Sequence, residues 1–267
     1  MAHELDVLPV MKDPERPHYR DTHENLLSPP YRLAIVGASK SGKSNLLMNY
    51  LRPCYYGGSK KKGIEPCFNK IIVFSPNLGM DSTTKSLNDL CADGDLHMSY
   101  NDSDIQSIIN HQKSQDGPSR DRILIIADDL IALGAQPQAL IFSSATYLRH
   151  LDCSIIYLTQ TYKGHYSLPP LVRNNLDGLI MFKCPSYQQI NALGDDLQGT
   201  FSTKENVKNL LGYATQKPFH FCFFNYRDLN AWHNHTEFMW SKYDENGNYN
   251  PDFSTPGSKD TEEEETD

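Results

Sequence analysis

The chain has 267 residues, 39% hydrophobic and 22% charged, which is enough for one sizeable core and excludes collagen, coiled coil and full disorder. Its formal net charge of −8 argues against a protein that coats nucleic acid by general basicity. Between Thr255 and Asp267 six acidic residues and one lysine carry −5 of that total, leaving −3 for the other 254 positions, a near-balance that permits local phosphate contacts.

Residues 1–30 are polar and proline-punctuated and are expected to form an N-terminal arm. They lack the apolar stretch of a signal peptide, and no run in the chain approaches the ~18 apolar residues of a membrane span. Residues 31–246 alternate short apolar runs with helical stretches. The runs are 31–36 (YRLAIV), 70–75 (KIIVFS), 122–127 (RILIIA), 154–159 (SIIYLT), 176–183 (LDGLIMFK) and 218–226 (PFHFCFFNY). Helices are predicted over 43–51, 103–112, 137–150, 186–193 and 203–211. Short β-branched runs bounded by turn residues read as strands buried on both faces, and strand–helix alternation implies a mainly parallel sheet covered on both sides. The expected architecture is therefore a three-layer α/β domain over 31–246, followed by a disordered acidic tail over 247–267. Six cysteines (54, 67, 91, 153, 184 and 222) show no CxxC pairing. They read as reduced thiols of an intracellular, non-secreted protein.

Between the first run and the first helix lies Gly37-Ala38-Ser39-Lys40-Ser41-Gly42-Lys43-Ser44, followed by Asn45, which satisfies GxxxxGK[ST] in its strand–loop–helix context. Glycines there let successive backbone N–H groups turn toward phosphate oxygens beside a positive helix N-terminus. Lys43 is placed to reach the β and γ phosphates, and the Ser44 hydroxyl to bind Mg²⁺. The run 123–127 ends in Asp128-Asp129. Two adjacent aspartates at the end of a buried strand need a cation or partners. Asp128 is expected to hold the metal, and Asp129 to orient and deprotonate water unless it caps a helix. The run 154–159 ends in polar groups, of which Gln160 is expected to sense the γ-phosphate, unless the strand is merely reaching its exit turn.

Taken together, GASKSGKS, ILIIADD, SIIYLTQT and LPPLVRNNLDGLIMFK resemble the DNA-packaging ATPases of large and polinton-like DNA viruses, in the FtsK–HerA branch of P-loop motors. The resemblance runs from about Tyr31 to Tyr226. It implies a homo-oligomeric ring that hydrolyses ATP with Mg²⁺ to drive double-stranded DNA into a capsid, with capsid proteins as partners and no membrane association. It places the protein at the virus assembly site in the host cell and in the virion. It also implies that Arg173, in LVRNN, is an arginine finger. The family branch usually has glutamate after the metal aspartate, and Asp129 is one methylene shorter.

Arg173 sits in a proline- and asparagine-rich stretch and is expected to be exposed, where its planar fork suits the growing charge of a phosphoryl group, unless it is an ordinary surface or salt-bridged arginine. Two segments could line a DNA channel through phosphate contacts: Lys60, Lys61 and Lys62 in a glycine-flanked loop, and Lys163 beside Tyr162. His233-Asn234-His235 reads as a polar hairpin edge rather than a zinc site, for want of further ligands at metal-like spacing. A GTPase is disfavoured, because Asp196-Leu197-Gln198-Gly199 follows a helical run and no NKxD is present. Two alternatives remain: a single-core ring helicase or replication ATPase, and a non-enzymatic, capsid-associated nucleotide binder.

Overall fold

The computed structural model describes residues 25–52, 56–57, 66–78, 80, 85–89, 91, 95–131, 135–136, 139–164 and 167–254. The six apolar runs all become strands: β1 (Arg32–Val36), β2 (Lys70–Phe74), β4 (Ile123–Asp128), β5 (Cys153–Thr159), β6 (Gly178–Phe182) and β7 (Phe221–Asn225). Three more join them: β3 (Leu96–His97), β8 (Asn230–His233) and β9 (Glu237–Ser241). All nine form one sheet in the order β3-β2-β4-β5-β1-β6-β7-β8-β9. Pairings from β3 through β6 are parallel, whereas β7, β8 and β9 add on antiparallel. The expected mainly parallel α/β sheet is therefore present, with an antiparallel meander on one side.

Helix α1 (Lys43–Tyr50) packs on one face with Leu47 and Tyr50 against Leu33, Ile35, Ile180, Phe182 and Phe221. The other face carries α2 (Asp102–Ser114), α3 (Leu140–Ser143), α4 (Ala145–Leu148), α5 (Pro170–Arg173), α6 (Tyr187–Leu197) and α7 (Lys204–Ala214). Their apolar residues, among them Ile105, Phe142, Val172, Leu193 and Leu210, pack with Ala34, Ile125, Tyr157 and Leu179 of the sheet. Three layers result, as the alternation predicts.

One expected helix is divided. The stretch predicted as 137–150 contains two four-residue helices separated at Ser144, whose hydroxyl bonds back to the Leu140 carbonyl at 2.5 Å. Such back-bonding competes with helix propagation. Within the expected arm, Leu26 and Leu27 are buried against the α1 face of the sheet. The amino end of the sheet is clasped by Asp177, which accepts from the Arg32 side chain at 3.0 Å and from Arg227 Nε at 3.1 Å. Burial alone would raise the Asp177 pKa, but the bonds from Arg32 and the charge of Arg227 outweigh it and hold the carboxyl below its ordinary value. The described cysteines, 67, 91, 153, 184 and 222, are all free thiols. No helix among the described residues is long and apolar enough to cross a membrane.

Register fixes where the chemistry goes. Val36 is paired with Thr159, Asp128 with Leu158 and Phe74 with Ala127, so β1, β2, β4 and β5 finish level at one edge. The loop 37–42 leaves that edge, and Asp128, Asp129 and Gln160 stand at it or just beyond it. Parallel sheets concentrate ligand chemistry at their carboxyl ends because the crossovers all depart from there.

Candidate functional site

The phosphate-binding loop leaves β1 with Gly37 N–H donating to the Thr159 carbonyl at 3.1 Å, which ties it to β5. Gly37 has no room for a side chain: a Cβ there would lie 2.9 Å from Phe182 Cβ. Gly42 opens α1 at φ 107, a left-handed conformation that glycine adopts without steric cost. Lys40, at φ 64, makes the other left-handed turn of the loop. Lys43 Nζ donates to the Gly37 carbonyl at 2.6 Å and to the Ala38 carbonyl at 3.1 Å, lying along the inside of the loop. Burial lowers the Lys43 pKa, while the charges of Asp129 and Asp128 push it back up. Ser41 Oγ is buried with no hydrogen-bond partner, a costly arrangement in a loop whose polar atoms face inward. Ser44 and Asn45 are exposed in the first turn of α1, where backbone N–H groups lack intrahelical acceptors.

Two strands away, Asp128 Oδ2 accepts from Ser75 Oγ at 2.7 Å. Asp128, Ser44 and Ser75 line one small cavity between α1 and the ends of β2 and β4. A hydroxyl and a carboxylate are the hard oxygen donors that suit Mg²⁺, which takes few protein ligands and keeps several waters. The residues therefore fit the metal that the loop chemistry calls for. Among the described residues no group of three or more His, Cys, Asp or Glu is placed to hold a metal ion.

Asp129 takes φ 46, which swings its side chain away from the β4 line and toward β5. Its Oδ2 accepts from Gln160 Nε2 at 3.0 Å. No described helix starts at Asp129. The carboxylate and the amide thus meet across adjacent strands, beside a cavity of about 250 Å³ lined by Leu130, Phe142, Tyr157, Thr159 and Leu168 among others.

Ser75 went unrecognised in the sequence, although the signal was the one that marked Gln160: a polar residue ending an apolar strand, here KIIVFS. It is 2% exposed and also accepts from the Asn77 N–H at 3.2 Å, so its hydroxyl is aimed at Asp128 by its own backbone turn.

Arg173 corrects an expectation. Its side chain is 9% exposed rather than displayed on the surface. Nε lies 3.3 Å from Asp196 Oδ2, NH1 donates to the Leu168 carbonyl at 2.8 Å, and the guanidinium stacks 5.5 Å from the centroid of Tyr162. Tyr162 also donates to Asp196 at 3.1 Å. The physical reason is the neighbouring helix. Asp196, near the end of α6, offers a carboxylate to a guanidinium that α5 has largely buried and that would otherwise be costly to leave unpaired. That same aspartate opens the DxxG string, which begins in the last turn of α6 and runs into the turn after it, and its carboxylate meets Arg173.

Lys163 follows in the same loop, half exposed and 3.9 Å from Asp196 Oδ1. Its backbone is pinned at both ends by Gln189 of α6, whose Oε1 accepts from Lys163 N–H and whose Nε2 donates to Lys163 O. Lys60, Lys61 and Lys62 lie outside the described residues. His233 ends β8 and His235 lies in the β8–β9 turn. His233 bonds to His220 and Glu237, and His235 to Tyr50 on α1.

Comparison with solved structures places this architecture. The genome packaging NTPase B204 from Sulfolobus turreted icosahedral virus 2, in complex with ATP-γS, matches at TM-score 0.53 and 19% identity over 80% of this chain and all of that one. The AMP complex of the same protein matches at TM-score 0.53 and 21% identity over 80% of this chain and all of that one. B204 from Sulfolobus turreted icosahedral virus, described as a DNA-packaging ATPase, matches at TM-score 0.53 and 20% identity over 78% of this chain and 98% of that one. The chain shares their fold, that of a P-loop NTPase. No protein-family model and no curated protein matches the sequence.

Proposed function

We propose that this protein is an ATP-hydrolysing motor that moves double-stranded DNA, acting as a homo-oligomeric ring that packages a viral genome into a capsid at the assembly site in the host cell. The observation that carries the reading is the convergence of the loop 37–44, Asp128 and the Asp129–Gln160 pair at one level edge of the sheet. Its fold likeness to a packaging NTPase studied with ATP-γS supports the motor and its cargo.

Each side chain then has one task. Lys43, already drawn inside the loop, turns from its carbonyl partners to the β and γ phosphate oxygens, which outcompete neutral acceptors. Ser44 and Asp128 hold Mg²⁺, with Ser75 fixing the carboxylate; when bound, the ion neutralises charge developing on the phosphates. Asp129 takes the proton of the attacking water. Gln160, which donates to Asp129, aligns that water with the γ-phosphate. Lys163 and Lys60–Lys62 are our candidates for DNA phosphates.

The test is ATP turnover with and without duplex DNA, together with the native mass. Duplex of any sequence should stimulate turnover, with binding that weakens steeply as salt rises, from a particle several times the chain mass. A protein that hydrolyses no ATP refutes the motor. Preference for single strands with measurable unwinding would replace packaging by a ring helicase.

A further inference from the structure

Next to the phosphate loop stands an aromatic residue that the motor reading leaves without a task. Lys217-Pro218-Phe219-His220 forms a tight turn before β7, with His220 N–H donating to the Lys217 carbonyl at 3.3 Å. Phe219 occupies its third position at φ 66, where turns with proline at the second position call for glycine or asparagine. A bulky residue there is strained. The strain is not repaid by burial, because Phe219 is 70% exposed. Its ring lies against the loop: a Cβ on Gly42 would be 3.5 Å from Phe219 Cδ1. Strained residues that persist without a packing reason cluster at ligand clamps.

A cavity of about 320 Å³ lies one helical turn further along, between α1 and the β8–β9 turn; Phe219 stands outside its lining. Its walls include Leu46, Asn49 and Tyr50 of α1, Phe221 of β7, and Asn234 and His235 of the turn. Leu46 N–H donates to the Gly42 carbonyl at 2.9 Å, one helical turn from the loop, and Phe221 follows Phe219 by two residues. The cavity is held open by fixed polar contacts: Asn234 Oδ1 accepts from Phe221 N–H at 3.0 Å, and His235 is hydrogen-bonded to Tyr50. It combines apolar walls with the side-chain amides of Asn49 and Asn234, the mix that suits a flat heteroaromatic ring with a polar edge.

We propose that Phe219 is the stacking platform for the base of the bound nucleotide, a purine, with the cavity between α1 and the β8–β9 turn receiving the ring and the two asparagines meeting its edge. This rests on the reading that the loop holds a nucleoside triphosphate, and it adds what separates a nucleotide from bare polyphosphate. The base then lies on the β6–β7 side of the loop, away from Asp128 and Asp129, so binding and hydrolysis draw on opposite flanks of α1.

The experiment measures the affinity of the full chain for Mg·ATP and for Mg·tripolyphosphate by calorimetry, in wild type and in Phe219→Gly and Phe219→Trp. Glycine relieves the positive φ, so Phe219→Gly should melt no lower than wild type. It should nonetheless bind ATP on the order of 10-fold or more weakly, the cost of removing one aromatic–base stack, while tripolyphosphate affinity stays unchanged. Phe219→Trp should keep ATP affinity, with its indole fluorescence altered by ATP and not by tripolyphosphate. The proposal is overturned if Phe219→Gly binds ATP like wild type, or if it loses both ligands equally. Wild-type protein that binds neither ligand would remove the nucleotide reading itself, and this one with it.

Discussion

Replacing Arg173 by alanine separates a finger from a strut. In the structure the guanidinium is 9% exposed and Asp196, its partner, is 26% exposed. Removing one member of a fully buried ion pair costs about 3–5 kcal/mol, chiefly through the charge left behind. Asp196 is not fully buried, and it keeps the Tyr162 hydroxyl at 3.1 Å and Lys163 at 3.9 Å. Solvent screening and these remaining partners bring the expected loss to roughly 2–3 kcal/mol. At about 2–4 °C per kcal/mol for a chain of this size, the melting temperature of Arg173→Ala should fall by roughly 4–12 °C. Any loss of turnover arises within the subunit, because the pair holds the loop that leaves Gln160. A finger acting on a neighbour would behave in the opposite way, with an unchanged melting temperature and turnover reduced by as much as ~10³-fold. Mixed assembly sharpens the contrast. Arg173→Ala subunits combined with Asp129→Asn subunits regain activity only if the arginine completes a neighbouring site. Restored turnover in the mixture, from an Arg173→Ala protein that melts like wild type, would refute the strut.

Lys43→Ala should weaken nucleotide binding on the order of 10²-fold and abolish turnover with an unchanged circular dichroism spectrum, since the ammonium bonds only to loop carbonyls. Asp128→Asn should raise the Mg²⁺ concentration needed for nucleotide binding, whereas Asp129→Asn should bind normally and lose about 10²–10⁴-fold in turnover; titration with Mg²⁺ and single-turnover hydrolysis distinguish the two. Asp177 has a carboxyl pKa below its ordinary value of 3.8, so its contribution is complete above that value and is lost as pH falls through the lowered one. Denaturant unfolding followed from pH 6 to pH 2 should therefore fall less steeply for Asp177→Asn than for wild type, from a lower starting stability. Identical slopes would mean that the Arg32–Asp177–Arg227 clasp contributes nothing to the acid limb.

Local pattern was enough for the sheet core and the loop. Strands buried on both faces must be continuous apolar runs, so β1, β2 and β4 through β7 stood out, and GASKSGKS needs only its own glycines and its flanking strand and helix. The two aspartates and Gln160 were legible because a charged or amide group ending a buried strand is costly without a partner. Strands β3, β8 and β9 were not legible: the first has two residues, and the hairpin pair is only partly buried. Their pairing comes from the neighbouring strand rather than from their own composition. Tertiary structure alone decided three further matters. Register brought Asp129 within 3.0 Å of Gln160 and Ser75 within 2.7 Å of Asp128. The packing of α5 against α6 buried Arg173 on Asp196, when its proline- and asparagine-rich surroundings read as an exposed loop. The turn before β7 set Phe219 beside Gly42, although 177 positions separate them in the chain. Each is a contact between segments distant in sequence, and residue type alone carries no information about which distant partner a side chain will meet.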